Sequence, residues 1–106
     1  MARTRSVRIK LEGNQCVVTP AVITVAPRDR VKITNATDSM IFVRIAGIRK
    51  THKIPGRFDN VVTVPDVRPG IYYYDAFCYD LQDFCTSPWG RIPMIGTPII
   101  IVPRRE

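Results

Sequence analysis

The residues able to do chemistry are few. The 106-residue chain holds one histidine, His52, and three cysteines, Cys16, Cys78 and Cys85. With a single imidazole, residue order suggests neither a Ser-His-Asp nor a Cys-His arrangement, and no glycine-rich phosphate loop occurs. Asp75, Asp80 and Asp83 gather around an aromatic segment and would suit hydrolysis or a hard cation, but carboxylates at such spacing more simply solvate a turn. Catalysis is not expected. An odd number of cysteines excludes a complete disulfide framework within one chain, so a fully reduced set in a reducing compartment is the default expectation.

The elements that must position these residues follow from the apolar pattern. Apolar residues make up 45% of the chain and charged residues 24%, a globular composition, and the length supports one hydrophobic core. Residues 1–106 are therefore expected to form a single domain, with a basic N-terminal arm over about 1–6 and a tail over about 103–106. Short apolar runs alternate with polar residues and end at Gly, Pro, Asn or Asp, the period-2 mark of half-buried strands. Val7, Ile9 and Leu11 face one way, and Gly13-Asn14 closes that strand. Further strands are expected over 21–25, 30–34, 40–45, 61–64, 71–78 and 97–102, with a long loop from Gly47 to Asn60. The run 40–45 is apolar on nearly both faces and should lie inside a sheet. Seven such strands argue for an all-β sandwich or small barrel.

No run approaches the roughly 18 apolar residues of a spanning helix. The N-terminus has the charge of a signal peptide but not its apolar stretch, which points to a cytoplasmic protein.

Three segments carry a family resemblance. Residues 20–38, from Pro20 to Asp38, resemble the cupredoxin pattern of an edge strand, a Pro-Gly-Asp-like turn at Pro27-Arg28-Asp29, and a strand ending in Asn35 and a polar turn. Pro69-Gly70-Ile71-Tyr72-Tyr73-Tyr74 resembles the Pro-Gly-x-Tyr-x-Tyr strand that leads to the copper site. The stretch from Cys85 to Thr97 is similar to the azurin-type ligand loop. The resemblance implies a Greek-key antiparallel β-sandwich over roughly residues 20–102.

It also implies a copper site, which needs two imidazoles, one thiolate and a weak axial methionine. Cys85 and Met94 stand nine residues apart, as that loop requires, but about Gly90 takes the place of its histidine. Met40 and Ile41 stand where the other histidine belongs, and His52 lies several residues beyond. The resemblance therefore implies a cupredoxin-like module with no cofactor; were copper held, Cys85, Met94, Cys78 and His52 would be its ligands. Cys78 is expected to be a small buried hydrophobe on the strand face of Tyr72, Tyr74 and Ala76, with residues 79–84 inserted ahead of Cys85. The alternative fold is an immunoglobulin-like sandwich. Cys16 and Cys78 are 62 residues apart, a suitable inter-sheet bridge, and residues 66–72 resemble the approach to a tyrosine corner.

The surface is basic: sixteen Lys and Arg oppose nine acids, giving a net charge of +7, and twelve of the sixteen are Arg. Arginine favours bidentate, partly desolvated contacts. Arg3, Arg5, Arg8 and Lys10 stud the N-terminal arm, Arg104 and Arg105 the tail, and Arg44, Arg49, Lys50, Lys53 and Arg57 a run from Ser39 to Arg57 without any acid. Ile48, Ile54, Phe58, Trp89, Arg91, Ile92 and Pro93 fall in expected loops, where Trp and Arg are common interface anchors.

These features lead to a non-catalytic binding or structural module, an accessory subunit that docks basic loops and tails onto an acidic protein surface or a larger complex, a complex peripheral to a membrane included. The alternatives are an anionic membrane surface as partner, a copper electron carrier, and a basic nucleic-acid-binding β-domain. Nucleic acid ranks low because aromatics are not interleaved with the basic run.

Overall fold

The computed structural model describes residues 3–20, 22–45, 51–64, 68–86 and 99–102, the last of these by backbone course alone. Its strands are β1 (Thr4–Glu12), β2 (Gln15–Thr19), β3 (Val22–Thr24), β4 (Arg30–Asn35), β5 (Ile41–Ile45), β6 (Thr51–Ile54), β7 (Asp59–Thr63), β8 (Gly70–Cys78), β9 (Asp83–Phe84) and β10 (Ile99–Val102). They form two sheets. The first has the order β2-β1-β4-β7; the second has β3-β10-β8-β5-β6, with β9 also paired to β8.

The longer strands show the alternation their sequences dictate. β1 buries Val7 and Ile9 and exposes Arg8 and Lys10, while β8 buries Tyr74, Ala76 and Cys78. Val7, Ile9, Val31 and Ile33 of the first sheet join Ile41, Val43, Ile45 and Ala76 of the second in one core cluster. The expected all-β sandwich is thus present. Its sheets are mixed rather than wholly antiparallel, because β1 pairs with β4, and β3 with β10, in parallel.

Local devices set the corners. Gly13, at φ 62°, opens the two-residue turn that joins Glu12 to its register partner Gln15, the position where a type II′ hairpin needs a left-handed residue. Asn35 is buried where β4 ends. Its Nδ2 donates to the carbonyl oxygens of Ser39 (2.8 Å), Ile54 (3.0 Å) and Pro55 (3.1 Å), and its Oδ1 accepts from Thr37 N (3.0 Å) and Thr37 Oγ1 (2.7 Å). One amide thereby ties three segments together. Gly56 fits under this turn because a Cβ there would lie 2.6 Å from the backbone carbonyl of Asp38.

Three expectations require correction. The stretch expected as a long loop from Gly47 to Asn60 contains β6 and the start of β7. Only Ile54 of β6 is buried, so no alternation revealed that edge strand. Leu11 is 45% exposed, because the inward row of β1 stops at Ile9. The cysteines are not all reduced: Cys16 is bonded to Cys85, with Cα atoms 4.4 Å apart, and Cys78 is the free, buried cysteine. The same bond replaces the Cys16–Cys78 bridge that an immunoglobulin-like sandwich would have.

The path after β8 explains that pairing. Residues 79–84 turn back so that β9 lies on the end of β8, with Phe77 opposite Phe84 and Cys78 opposite Asp83. Cys85 N then donates to Ala76 O of the second sheet, while Thr86 bridges to Val17 of the first, its N–H donating to Cys16 O at 2.8 Å. The chain crosses between sheets there, and the disulfide joins that crossing to β2.

Candidate interaction surface

The two outer faces of the sandwich are chemically unlike. On the first sheet, register sets Thr4 beside Arg30, Ser6 beside Lys32 and Arg8 beside Thr34, with Thr63 and Val61 next to Arg30 and Lys32 on β7. Arg8, Lys10, Arg30 and Lys32 therefore share one face, among hydroxyl side chains. Lys32 pairs with Asp59 at 3.5 Å and Lys10 with Glu12 at 3.1 Å, whereas Arg8 and Arg30 have no ion pair among the described residues.

The same edge continues into the turn before β4. Asp29 N donates to Ala26 O at 3.0 Å, and Arg28 at the third position has φ 74°, the left-handed conformation that a type II turn normally gives to glycine. Arg28 thus stands where the Pro-Gly-Asp pattern has its glycine. The Asp29 carboxylate accepts from the N–H groups of Ala26 and Arg3, both at 2.9 Å. Those two bonds, followed by the nearby charges of Arg3 and Arg5, hold the Asp29 carboxyl below its ordinary value.

A groove of about 380 Å³ lies beside this edge, lined by Thr4, Arg5, Ser6, Pro20, Val22, Ile23 and Thr24. Arg28, Arg30 and Lys32 were not among the sequence candidates. They alternate with Asp29 and Val31, so the segment reads as a mixed-charge turn and strand, and only strand pairing sets Arg30 and Lys32 beside the residues of β1.

On the second sheet aromatic side chains dominate the outward face. Lys53, Phe42, Phe77 and Phe84 form one cross-strand row over β6, β5, β8 and β9. Phe42 meets Tyr79 at 6.5 Å between ring centroids and 62° between planes; Phe77 meets Phe84 at 5.2 Å and 76°. Both contacts are edge-to-face. One rung along, Arg44 pairs with Asp75 at 3.5 Å. Tyr73 and Ile71 then continue the outward face of β8, 42% and 62% exposed.

The expected site residues thus divide. Arg3, Arg5 and Arg8 belong to the first sheet and its edge, and Arg44 and Lys53 to the opposite sheet. Arg57 Nε is held by Asp38 at 2.7 Å, a bond that lowers the Asp38 carboxyl and raises the Arg57 guanidinium from their ordinary values. Arg49, Lys50, Trp89, Arg91, Arg104 and Arg105 lie outside the described residues, as do Ile48, Ile92 and Pro93. Phe58 is exposed as expected, but Ile54 is wholly buried in the core. Asp75, Asp80 and Asp83 do not assemble into a cation site: Asp75 serves Arg44, Asp80 N–H bonds Ser39 Oγ, and Asp83 Oδ1 accepts from Phe84 N.

The copper set implied by the resemblance can be tested on Cys85, Cys78 and His52. Cys85 is in the disulfide and offers no thiolate. Cys78 points into the core opposite Ile41, while His52 is opposite Val43 on the far side of β5, two strands and one rung away. By strand spacing their Cα atoms are roughly 11 Å apart, too far to share a metal through bonds of ~2 Å without rearrangement. Met94 lies outside the described residues. The described ligands do not fit the group.

One device of the alternative fold is present. Tyr72 OH donates to Arg68 O four residues upstream, the bond of a tyrosine corner. Among the described residues no helix is long and apolar enough to cross a membrane.

No family model matches the sequence, and no curated protein matches it. Comparison with solved structures finds a pseudoazurin from Sinorhizobium meliltoi at a TM-score of 0.51 and 19% identity, covering 96% of this chain and 75% of that one. At that identity the likeness concerns the course of the backbone. Two packed sheets, no helix among the described residues and this neighbour together make the chain a β-sandwich of cupredoxin-like fold.

Proposed function

We propose that the protein is a non-catalytic binding or structural module, a cupredoxin-like sandwich without a working copper centre, that docks as an accessory subunit onto an acidic protein surface in a larger complex. The observation that carries this reading is the gathering of Arg8, Lys10, Arg30 and Lys32 on one sheet face, with Arg8 and Arg30 free of ion pairs among the described residues. Planar guanidinium groups on a rigid sheet suit bidentate carboxylate recognition. Arg28 adds support, since a charge kept in a strained left-handed position is more readily explained by use than by folding. The Cys16–Cys85 bond favours an oxidising compartment over a cytoplasmic one.

The test is gentle purification from the source cells, with co-purifying species identified by mass spectrometry and copper measured on the same sample. A stoichiometric acidic protein is expected, released in about 1 M salt, where the screening length falls to ~3 Å. Its capture should be lost in Arg8→Glu, Arg30→Glu chains and weakened in Arg28→Gly, which relieves the turn. A monomer carrying one copper, or a partner indifferent to these charges, would sink the reading.

A further inference from the structure

The N-terminal half of β1 has a strand neighbour on one side only. Arg3 O accepts from Arg30 N and Ile9 O from Ala36 N, both at 2.8 Å, so Arg3 and the odd-numbered residues of β1 turn their backbone groups toward β4. The even-numbered residues face the other way. There Arg8 meets Thr19, Lys10 meets Val17 and Glu12 meets Gln15 on β2. β2 goes no further: the chain bends at Pro20, leaves the first sheet and becomes β3, the edge strand of the second. Thr4 and Ser6 therefore each aim an N–H and a carbonyl into a vacated lane, with no backbone partner among the described residues.

That lane is the groove of about 380 Å³, with Thr4, Arg5 and Ser6 on one side and Val22, Ile23 and Thr24 on the other. An unpaired strand edge is a template for another strand, and main-chain pairing is a recurrent way to hold an extended segment.

Side chains select what enters. Arg5 shares the inward row of β1 with Val7 and Ile9 yet is exposed, at the end of the row that β2 does not cover. It has no ion pair among the described residues. The Asp29 carboxylate feels its charge but is already held by the N–H groups of Ala26 and Arg3. A strand in the lane places one residue directly opposite Arg5 on the same side, where an acid completes the pair. A second copy of this edge would set Arg5 against Arg5 instead.

We infer that the open edge of β1 over residues 4–7 is a strand-addition site for an extended acidic segment of a partner protein. The segment runs antiparallel to β1, in line with β2. One of its residues exchanges hydrogen bonds with Ser6, the next is Asp or Glu opposite Arg5, and the third exchanges hydrogen bonds with Thr4. These three span about 10 Å at ~3.4 Å per residue. The inference deepens the reading above and rests on its acidic partner, but it places the contact on the sheet edge rather than on the face of Arg8 and Arg30.

The probe is the acetylated, amidated peptide Thr-Val-Thr-Glu-Thr-Val-Thr, titrated into the full chain while amide hydrogen exchange is followed. In the free chain the amides of Thr4 and Ser6 should exchange freely, whereas those of Arg5 and Val7, bonded to β4, should be slow. Saturating peptide should slow Thr4 and Ser6 by about tenfold or more. Changing the peptide's glutamate to lysine, or Arg5→Gln in the chain, should weaken binding by about tenfold. Methylating the backbone nitrogen of either threonine beside the glutamate should weaken it as much, which charge attraction alone does not produce. Arg30→Ala should change it by less than about threefold. Binding that is lost in Arg30→Ala but ignores both N-methylation and Arg5→Gln overturns strand addition and leaves acidic docking on the basic face standing. No binding at about 1 mM peptide, or Thr4 and Ser6 amides already slow in the free chain, overturns it outright. Protection that appears without peptide as the chain is concentrated overturns it in favour of a second copy.

Discussion

The two sheets bury nearly interchangeable residues and display opposite ones. Inward, the first sheet offers Val7, Ile9, Val31 and Ile33 and the second Ile41, Val43, Ile45 and Ala76, all almost wholly shielded. Outward, the first carries mainly arginine, lysine, threonine and serine, the second phenylalanine and tyrosine around Lys53 and the Arg44–Asp75 pair. The lesson is that period-2 alternation needs only that one row be apolar, and leaves the other row available to partners. If that is right, large stability effects belong to the interior and to the ties between sheets, while outer substitutions act on binding.

The strongest check is the covalent tie. Replacing both Cys16 and Cys85 by alanine opens a loop with a sequence separation of 69 residues. The expected loss is about 4 kcal/mol in the chain-entropy view. Urea unfolding with and without reductant measures it, and a loss below about 1 kcal/mol would mean that the sheets hold together by packing alone.

Next is the buried amide. Asn35→Ala leaves three backbone carbonyls and Thr37 without their partner, at about 3 kcal/mol by chemical denaturation. A small effect would show that water satisfies this corner and that the end of the sandwich is looser than its inward rows.

Asp29 is a smaller pin at the edge of the basic face. Its folded carboxyl lies below the ordinary 3.8, so its stabilisation is full above that value and is lost as pH falls through the lower folded pKa. Asp29→Asn should lower stability by about 1 kcal/mol at neutral pH through the lost backbone hydrogen bond. The deficit should shrink below pH 3.8 as the native carboxylate protonates; a pH-independent deficit would assign the effect to packing.

The smallest effects should be on the outer faces. Arg30→Ala and Phe84→Ala should each change stability by no more than about 0.5 kcal/mol. A clearly larger loss for Phe84→Ala would break the comparison, because the aromatic row would then belong to the core rather than to the outer surface.

Alternation alone made much of the sandwich readable. The strands around Val7–Ile9, Val31–Ile33, Ile41–Ile45 and Tyr74–Cys78 are visible because each buries every second residue. Edge strand β6 was not visible, having one buried residue in four, and neither was the hairpin that places Phe84 on β8, which depends on the turn at 79–82. The candidate surface was less legible than the fold. Charge runs along the chain drew attention to 44–57, yet alternate residues of such a run point to opposite sides of a strand, and cations from different strands make the broader basic face.

The sequence by itself determined the fold class, the inward rows, the basic excess and the burial of Cys78, since each follows from local periodicity or composition. The pairing of Cys16 with Cys85, the separation of His52 from Cys78, and the meeting of Phe42, Phe77 and Phe84 were decided by the tertiary structure alone. Each depends on which strands lie side by side and in what register, and contacts between distant segments leave no periodic mark along the chain.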